Sequence, residues 1–390
     1  MKIAFLCSAL EPGRDGVGDY TRRLAGELLR QDHTSVAIAL NDSHISEVTV
    51  ESQEIEGASV CVLRLPNGMD WIERATAARD RLNAFSPDWI SLQFVPFAFH
   101  PKGLCFGLGR RLATLSSNVS WHIMFHELWL GLAKKSSVKH QFWGALQRLI
   151  MLDLLSRLRP QVVHTHAEPY LKVLHGAGVK ASILPIFGNI PRVNGDAWRD
   201  LLEPLAAQAM GHPQDRANLY MAGVFGGVHP EWDANQTIST LLPLVKRFQK
   251  RLVLVFLGRN NLNAKEFARL KSMSGNCADI ILVGERPSHE ISKILQSLDL
   301  GLATTPLQII QKSGSIATML EHGLHVLVTR DDWRLRGATA HQVEPTSRLL
   351  SPKQFVLRKS LPSRVPLPMA NQGIAHVASR MLAAMQAASC

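Results

Sequence analysis

A lysine and two serines at the start of an apolar helical pattern carry the strongest chemical signal in the sequence. Lys312, Ser313, Gly314 and Ser315 follow a short apolar segment and open a predicted helix that contains Glu321 two turns later. Main-chain amides at a helix start have no intrahelical acceptor, and here hydroxyl groups and an ammonium group accompany them. The stretch therefore predicts a site for an anion such as a phosphate. The alternative is a helix that Ser313 merely caps, and the glycine spacing does not fit a Walker loop.

A glycine-rich loop follows the first apolar segment and opens the first predicted helix. Gly16 and Gly18 let main-chain amides approach a ligand closely, and Asp19 lies beside them. One alternative is a dinucleotide-binding loop with Asp42 as the ligand of the ribose, although Thr21 occupies the position of the third glycine. Another alternative is a plain turn that Asp19 caps.

A histidine ends a predicted strand in the first half of the chain. His126 and Glu127 are expected at the carboxyl end of this strand, whereas His122 lies further back on the same face. We expect His126 to bind a substrate or to act in catalysis. Two alternatives stay open: a buried histidine that only satisfies its neighbours, and a metal site that also includes His164 and His166.

Short apolar segments alternate with amphipathic segments along nearly the whole chain, which is typical of a parallel α/β protein. The pattern begins again after a segment rich in Gly, Asn and Pro at 187–195. We therefore expect two Rossmann-like, doubly wound domains that face each other across a cleft. Their predicted bounds are 1–190 and 191–369, followed by an apolar helix in 370–390. Gly226 and Gly227 end the first strand of the second half and are expected to face the same cleft.

The elements that must position these residues follow from the same pattern. Predicted strands are 2–8, 35–40, 60–65, 88–94, 119–126, 161–165, 181–187, 219–225, 252–257, 279–283, 299–303 and 324–328. Predicted helices are 19–30, 70–85, 104–115, 138–158, 167–176, 233–249, 264–273, 288–297 and 313–322.

Composition narrows the class of protein. The 390 residues are 46% hydrophobic and 19% charged, which is ordinary for a soluble globular protein. The net charge of +11 favours anionic partners such as nucleotides or acidic lipids, while the scattered basic residues argue against nucleic acid. No apolar run has the length of a transmembrane helix, and the five cysteines form no CxxC pair. We expect a cytoplasmic protein without structural zinc or disulfides.

Taken together, these segments resemble the GT-B glycosyltransferases, specifically the family 4-like group of retaining enzymes that use nucleotide sugars. The resemblance implies that Glu321 holds the ribose of the donor and that the final helix crosses back onto the first domain. The sequence departs from the family at Ser313, where the first glutamate of a pair usually stands. Four segments look like the family's first loop and helix, acceptor-side histidine, interdomain linker and donor-binding helix: 16–25, 125–127, 187–191 and 312–328.

The expected function is transfer of a sugar from a nucleotide diphosphate sugar to an acceptor, with retention, in glycan or glycoconjugate biosynthesis. No metal and no cofactor besides the donor are expected. The predicted catalytic residues are His126, Asp19 and Lys312. The predicted donor-binding residues are Gly16, Gly18, Gly226, Gly227, Lys312, Ser313, Gly314, Ser315 and Glu321.

The acceptor and the competing functions stay open at this point. The acceptor is expected to be a sugar, a lipid-linked molecule or another small molecule, and not a nucleic acid. The predicted helix 138–158 has arginines and an apolar face, so it suits either contact with the inner face of a membrane or packing in a core. The alternative function is a non-catalytic nucleotide- or sugar-binding protein on the same fold. A dinucleotide-dependent oxidoreductase is disfavoured by the first loop.

Overall fold

The chain divides into two units, each built around its own β-sheet. The first unit contains Met1–Asn189, a short segment that begins at Arg334, and the C-terminal helix from Ile374 onward. The second contains Ile190–Trp333 and the remaining residues up to Gly373. The computed structural model describes residues 1–116, 118–260, 267–268, 270–272, 278–338, 343–366 and 372–389. Half of the predicted helix 264–273, together with Cys277 and Cys390, lies outside the described residues.

The sheet of the first unit has eight strands in the described residues, in the order β3-β4-β2-β1-β5-β6-β7-β8. All neighbouring strands are parallel except β3 and β4. The strands are β1 Lys2–Cys7, β2 Thr34–Asp42, β3 Thr49–Ile55, β4 Ala58–Pro66, β5 Trp89–Phe94, β6 Ser120–Phe125, β7 Val162–Thr165 and β8 Ser182–Ile183. The helices are Gly16–Arg30, Trp71–Phe85, Pro96–Phe99, Leu108–Ala113, Val138–Leu158, Glu168–Gly176 and Gln372–Ser389.

Two apolar cores cover the two faces of this sheet. Ala4 and Leu6 of β1 belong to one core, and Ile3 and Phe5 belong to the other, because successive side chains of a strand point to opposite faces. The C-terminal helix contributes Ile374, Val377, Ala378, Met381, Leu382 and Met385 to the core of Ile3 and Phe5. No helix in the described part of the chain is long and apolar enough to cross a membrane.

The second unit has a six-stranded parallel sheet in the described residues, in the order β11-β10-β9-β12-β13-β14. Its strands are β9 Leu219–Phe225, β10 Arg251–Leu257, β11 Asp279–Gly284, β12 Leu300–Ala303, β13 Val326–Val328 and β14 Leu349–Leu350. Its α-helices are Glu203–Met210, Ala234–Arg247, Ser288–Ser297, Gly314–Glu321 and Pro352–Val356. Turns of other helix types span Trp198–Leu202, Arg216–Asn218 and Leu307–Lys312.

Each sheet has one point at which the strand order reverses. In the first sheet β1 is flanked by β2 and β5, and in the second β9 is flanked by β10 and β12. Crossover connections leave in opposite directions there, so the loops that follow the two central strands diverge and leave a crevice at the carboxyl edge of the sheet. The candidate residues of the second unit lie in the loops after β9 and β12. Those of the first unit lie after β1 and β6.

Candidate functional site

The crevice of the second unit is formed where the loop after β9 meets the loop after β12. Gly226 has a positive φ of 83°, and a Cβ atom at this position would lie 2.6 Å from the Ser315 hydroxyl. The Thr304 hydroxyl donates to the carbonyl of Gly227 and accepts from the amide of His229, both at 3.2 Å. The Thr304 side chain therefore holds the two loops together, and the positive φ of Gly226 favours a glycine at that position.

The helix Gly314–Glu321 begins at this crevice. Ser313 is its N-cap residue, and the Ser313 hydroxyl accepts from the amide of Ile316 at 3.4 Å. The amides of Gly314 and Ser315 belong to the same first turn, which has no intrahelical acceptors. A helix start of this kind attracts anions through its amides and its dipole. From the sequence alone, a serine cap and an anion site are alternatives. The two are compatible, because the Ser313 hydroxyl accepts from the amide of Ile316 alone and not from those of Gly314 and Ser315.

Three basic side chains surround the crevice: Lys312, His229 and Arg330. Arg330 follows β13 and is only 5% exposed. It forms ion pairs with Glu231 at 2.6 Å and with Asp332 at 2.8 Å. The pKa of His229 is lowered, first by burial and then by the charges of Arg330 and Lys312, against the opposing effect of the two carboxylates. His229 is therefore mainly neutral at pH 7, and the fixed positive charges are those of Lys312 and Arg330.

Sequence reasoning missed Arg330, although it is the most buried basic residue of the crevice. The only signal was its position directly after the apolar segment 324–328, at the carboxyl edge of a predicted strand. Because β13 is the neighbour of β12, the sheet brings a residue from the far side of Glu321 into the same crevice.

Glu321 lies at the opposite end of the helix from Ser315. Seven residues separate it from Gly314, which places the two ends about 10 Å apart along the helix axis. A Cβ atom at Gly373 would collide with the Glu321 carboxylate, so this carboxylate lies against the start of the C-terminal helix. A negative charge is favourable at a helix start, which gives Glu321 a structural role whether or not it binds a ligand.

The first loop of the first unit is organised by its own acidic residues. Asp15, rather than Asp19, caps the helix Gly16–Arg30 by accepting from the amide of Val17 at 3.0 Å. The alternative in which Asp19 caps the turn is therefore wrong, because the helix begins three residues earlier than expected. Asp19 accepts from the amide of Gly13 at 2.9 Å and forms an ion pair with Arg22.

Gly16 and Gly18 differ in what surrounds them. A Cβ atom at Gly18 would lie 2.5 Å from the carbonyl oxygen of Ala9, so close packing of the helix on the loop requires a glycine there. At Gly16 the nearest atom would be Nδ2 of Asn189, at an ordinary distance of 3.6 Å. The need for glycine at 18 is thus explained by packing, whereas packing does not require one at 16.

Asp42 is engaged within the protein and does not resemble a ribose ligand. It is fully buried, and its carboxylate accepts from Arg64 at 2.8 Å and from the amides of Leu10 and His44. Burial raises the pKa of Asp42, but these hydrogen bonds lower it by more, and the net shift is downward. The structure therefore agrees with the rejection of the dinucleotide-binding loop.

Four buried histidines of the first unit form a continuous chain of hydrogen bonds. They lie on β6 and β7 or directly after them, and neighbouring polar atoms along the chain are 2.8–3.0 Å apart. The ring of Tyr20 packs edge-on against two of them. We call this set the histidine chain; it runs through His164, His122, Ser91, Gln93, His126, His166 and the carbonyl of Leu184.

The direction of the hydrogen bonds in the histidine chain is set by Leu184. Its carbonyl can only accept, so Nδ1 of His166 must carry a hydrogen. If both rings are neutral, Nε2 of His166 accepts from Nδ1 of His126, and Nε2 of His126 must itself accept. The Gln93 amide oxygen is 2.9 Å from that Nε2. Two acceptors form no hydrogen bond. With the Gln93 oxygen facing His126, the two rings must therefore carry one extra proton. With both rings neutral, the Gln93 side-chain amide must be rotated so that its nitrogen faces His126.

Burial decides between these two states. It lowers the pKa of His166 to about 4 and that of His126 well below its usual range, and mutual repulsion of the rings adds to the effect on His126. At neutral pH the rings are therefore uncharged, and the amide nitrogen of Gln93 donates to His126. Both ring nitrogens of His126 then have partners within the protein. A substrate contact through His126 would have to replace one of those hydrogen bonds.

The structure thus brings together only part of the predicted site. Gly226, Gly227, Lys312, Ser313, Gly314 and Ser315 lie around one crevice, with Glu321 at the far end of the same helix. Gly16, Gly18 and Asp19 lie at the first loop of the other unit, and His126 lies in its histidine chain. Among the described residues, no group of three His, Cys, Asp or Glu side chains is arranged to hold a metal ion.

Comparison with known proteins identifies the fold. No family model and no curated protein matches the sequence. Solved structures do match. HepE from Anabaena, in complex with UDP and glucose, is 14% identical with a TM-score of 0.55, and the match covers 100% of this chain and 95% of HepE.

Two further structures match with similar scores. Sucrose-phosphate synthase from Thermosynechococcus elongatus is 13% identical with a TM-score of 0.54, and the match covers 98% of this chain and 90% of the synthase. A protein from Listeria monocytogenes that is proposed to be a UDP-N-acetylglucosamine 2-epimerase is 11% identical with a TM-score of 0.53, with coverages of 99% and 96%. The chain has the α/β fold of the GT-B glycosyltransferases, with two Rossmann-like domains. Identities this low show the fold alone, so function has to be argued from the site.

Substitution of the two glycines of the first loop provides a matched test of which one is required for packing. Gly18→Ala should lower the free energy of unfolding by about 1–3 kcal/mol, because its methyl group meets a main-chain carbonyl. Gly16→Ala should change stability little. Chemical denaturation of both variants measures this, and equal destabilisation by the two substitutions would contradict the packing difference.

The histidine chain predicts how stability depends on pH. In the unfolded protein these histidines bind protons near pH 6.5, whereas in the folded protein His164 and His166 do so at about 4. The free energy of unfolding should therefore fall as the pH decreases from about 6.5 to about 4, by up to about 1.4 kcal/mol per pH unit for each histidine.

Gln93→Glu tests whether the chain causes this dependence. A carboxylate facing His126 stabilises the protonated ring, so the decline with falling pH should be shallower than in the wild type. The exposed substitution Gln236→Glu is the control and should leave the slope unchanged. Equilibrium denaturation between pH 4.5 and 7.5 measures all three proteins, and coinciding slopes for wild type and Gln93→Glu would assign the dependence to other groups.

Proposed function

We propose that the protein is a retaining, family 4-like glycosyltransferase that transfers a sugar from a nucleotide diphosphate sugar to an acceptor without a metal ion. The observation that carries the proposal is the crevice of the second unit. It places the start of the helix Gly314–Glu321, Lys312 and the glycine loop at 226–227 at the point where the strand order reverses. This is the position at which open α/β sheets bind nucleotides and phosphates.

The dimensions of the site suit a nucleoside diphosphate. Its two ends, Ser315 at the crevice and Glu321 at the end of the helix, are about 10 Å apart along the axis. One ligand that contacts both must be extended, with an anion at one end and hydroxyl groups at the other. We assign the diphosphate to the helix start and the ribose hydroxyls to the Glu321 carboxylate, which accepts hydrogen bonds when ionised.

Charge at the helix start supplies the chemistry that the transfer requires. The diphosphate gains negative charge as the bond to the sugar breaks, and groups that meet this charge lower the barrier. Lys312 and the amides of Gly314 and Ser315 are the groups we assign to this role. Arg330 lies close enough to lower the pKa of His229, but its ion pairs with Glu231 and Asp332 compensate its charge, so we assign no part of the charge stabilisation to it.

The first unit is the proposed place of the acceptor. Asp19 and His126 stay predicted catalytic residues there, each with partners in the protein. The Asp19 carboxylate would have to release Arg22 or Gly13 in order to contact a substrate. His126 would have to release His166 or Gln93. We therefore place the main catalytic contribution at Lys312.

A nucleotide- or sugar-binding protein without catalysis is the second candidate. The observation that favours it is Ser313, which stands where the family has a glutamate and whose hydroxyl already caps the helix. Such a protein would bind the nucleotide as proposed but would not turn it over. Release of nucleoside diphosphate in the presence of an acceptor distinguishes the two.

Nucleotide binding is the first test of the proposal. At least one of UDP, GDP, ADP, TDP and CDP should raise the melting temperature in the absence of magnesium. Ligand at 100 times its dissociation constant stabilises a protein by about 2.7 kcal/mol. If none of the five at millimolar concentration shifts the melting temperature, the donor site is refuted.

Lys312→Ala and Glu321→Gln should impair different properties, the first turnover and the second nucleotide binding. Lys312 meets charge that grows in the transition state, so its loss should lower kcat by an amount equivalent to about 2–4 kcal/mol. Glu321 holds the ribose equally before and during the reaction, so Glu321→Gln should weaken nucleotide binding. Calorimetric titration and steady-state kinetics measure both effects.

Matched controls separate these effects from changes in stability. Lys246→Ala removes an exposed charge and Glu290→Gln a partly exposed one from other helices of the second unit, and both should leave binding and kcat unchanged. Glu321→Gln also alters the contact with Gly373, so its melting temperature is recorded. A lowered melting temperature with unchanged nucleotide affinity would make Glu321 a structural residue and remove the ribose assignment.

A further inference from the structure

The helix Val138–Leu158 has apolar residues on two opposite faces. Ile150, Met151, Leu154 and Leu158 are buried in a core of the first unit. The opposite face exposes large apolar side chains to solvent: Val138 is 80% exposed, Phe142 63% and Leu149 64%. One face of the helix therefore packs in a core, as one of the two sequence alternatives expects, while the other face leaves large apolar side chains at the surface.

The exposed residues form a continuous stripe. Val138, Phe142, Ala145 and Leu149 follow each other at intervals of four, three and four residues, which places them on one side of a helix. Phe106, which is 61% exposed, extends the stripe from the neighbouring loop. It lines a shallow cavity of about 350 Å³ together with Leu149. We call these five residues the apolar stripe.

Basic residues surround the apolar stripe. Along the helix, Lys139 and Arg157 lie on one side of it and Arg148 on the other, as the 100° step between residues requires. Arg110 and Arg157 line the same cavity as Phe106, and Arg157 is also paired with Asp153 at 2.8 Å. Residues 100–160 contain nine Lys and Arg but only two acidic residues, and so hold seven of the eleven net positive charges of the chain.

We propose that this face docks the protein on the surface of an anionic lipid bilayer. A helix that lies in the plane of a membrane buries an apolar stripe among the lipid chains while flanking lysines and arginines contact acidic headgroups. The apolar stripe and its basic border match that arrangement in both composition and geometry. The basic residues complement an acidic surface, and the exposed Phe and Leu side chains can insert only into a surface with an apolar interior, such as a lipid bilayer.

A nucleic acid fits this face less well than a membrane does. Phosphate backbones are recognised by basic and polar side chains, and single strands by stacking on aromatic rings. Val138 and Leu149 would contribute to neither contact, yet they are among the most exposed apolar residues of the helix. The inference is independent of the proposed transfer reaction, because docking on a membrane requires neither donor nor acceptor.

Co-sedimentation of the full chain with lipid vesicles tests the inference. The protein should bind vesicles of phosphatidylcholine with 30% phosphatidylglycerol and should not bind vesicles of phosphatidylcholine alone. The double variant Lys139→Gln/Arg148→Gln should lower the partition coefficient about 30-fold, as two basic contacts are lost. Phe142→Gln/Leu149→Gln should lower it at least tenfold, and the melting temperature shows whether both variants are folded.

Matched substitutions elsewhere on the chain provide the controls. Lys246→Gln/Arg247→Gln and Ile72→Gln/Leu357→Gln remove the same kinds of exposed side chain from other surfaces and should leave binding unchanged. Failure of the wild type to bind the acidic vesicles would overturn the inference. So would an undiminished partition of folded Phe142→Gln/Leu149→Gln, or an equal loss of binding in the control variants. Displacement from the vesicles by a duplex oligonucleotide at equal phosphate concentration would indicate a nucleic-acid surface instead.

Discussion

The contact between Gly226 and Ser315 is the constraint on which the proposed donor site depends. Parallel strands end at one edge of a sheet, and only at the reversal of strand order do two neighbouring loops diverge. In the second unit the loops after β9 and β12 meet there again through Gly226, whose lack of a side chain admits the Ser315 hydroxyl. The start of the helix can therefore lie directly against the glycine loop, at the place where we propose that the anion binds.

The two units satisfy their buried polar groups in different ways. In the second unit Arg330 is buried between two carboxylates, so a permanent charge stays beside the crevice at any physiological pH. In the first unit the histidine chain contains no permanent charge, and its hydrogen bonds can be completed by neutral rings if Gln93 adopts one orientation. One proton added to His126 or His166 would require the Gln93 side-chain amide to rotate, because donors and acceptors alternate along the histidine chain. The first arrangement keeps a fixed ionic cluster beside the loop after β9, and the second suits a rigid neutral core.

Much of the fold could be predicted because buried strands and amphipathic helices each have a local pattern of apolar residues that is visible in the sequence. The strand 219–225 and the helices 138–158 and 288–297 were predicted with the bounds that the structure has. The polar strand β3 was missed, since its Thr, Glu, Gln and Ser residues lack the apolar run of a buried strand, and pairing with β4 creates it. Residues that act locally, such as Ser313 at a helix start, could be found. Arg330 and Gln93, which faces His126, could not, because pairing between strands brings them into place.

The distribution of charge separates two kinds of anionic partner. Lys312 and Arg330 lie in the second unit, so the seven surplus charges of residues 100–160 in the first are not needed to hold the donor. Those charges are mostly exposed, and at physiological ionic strength exposed charges are screened beyond about 8 Å. They can therefore act only on a partner that comes into contact with the protein and spans several of them, as a membrane surface does. Lys312 is partly buried and therefore less screened, which fits the role that we propose for it toward a small ligand held in a crevice. One net charge of +11 thus reflects two sites with different physical requirements, one deep and one superficial.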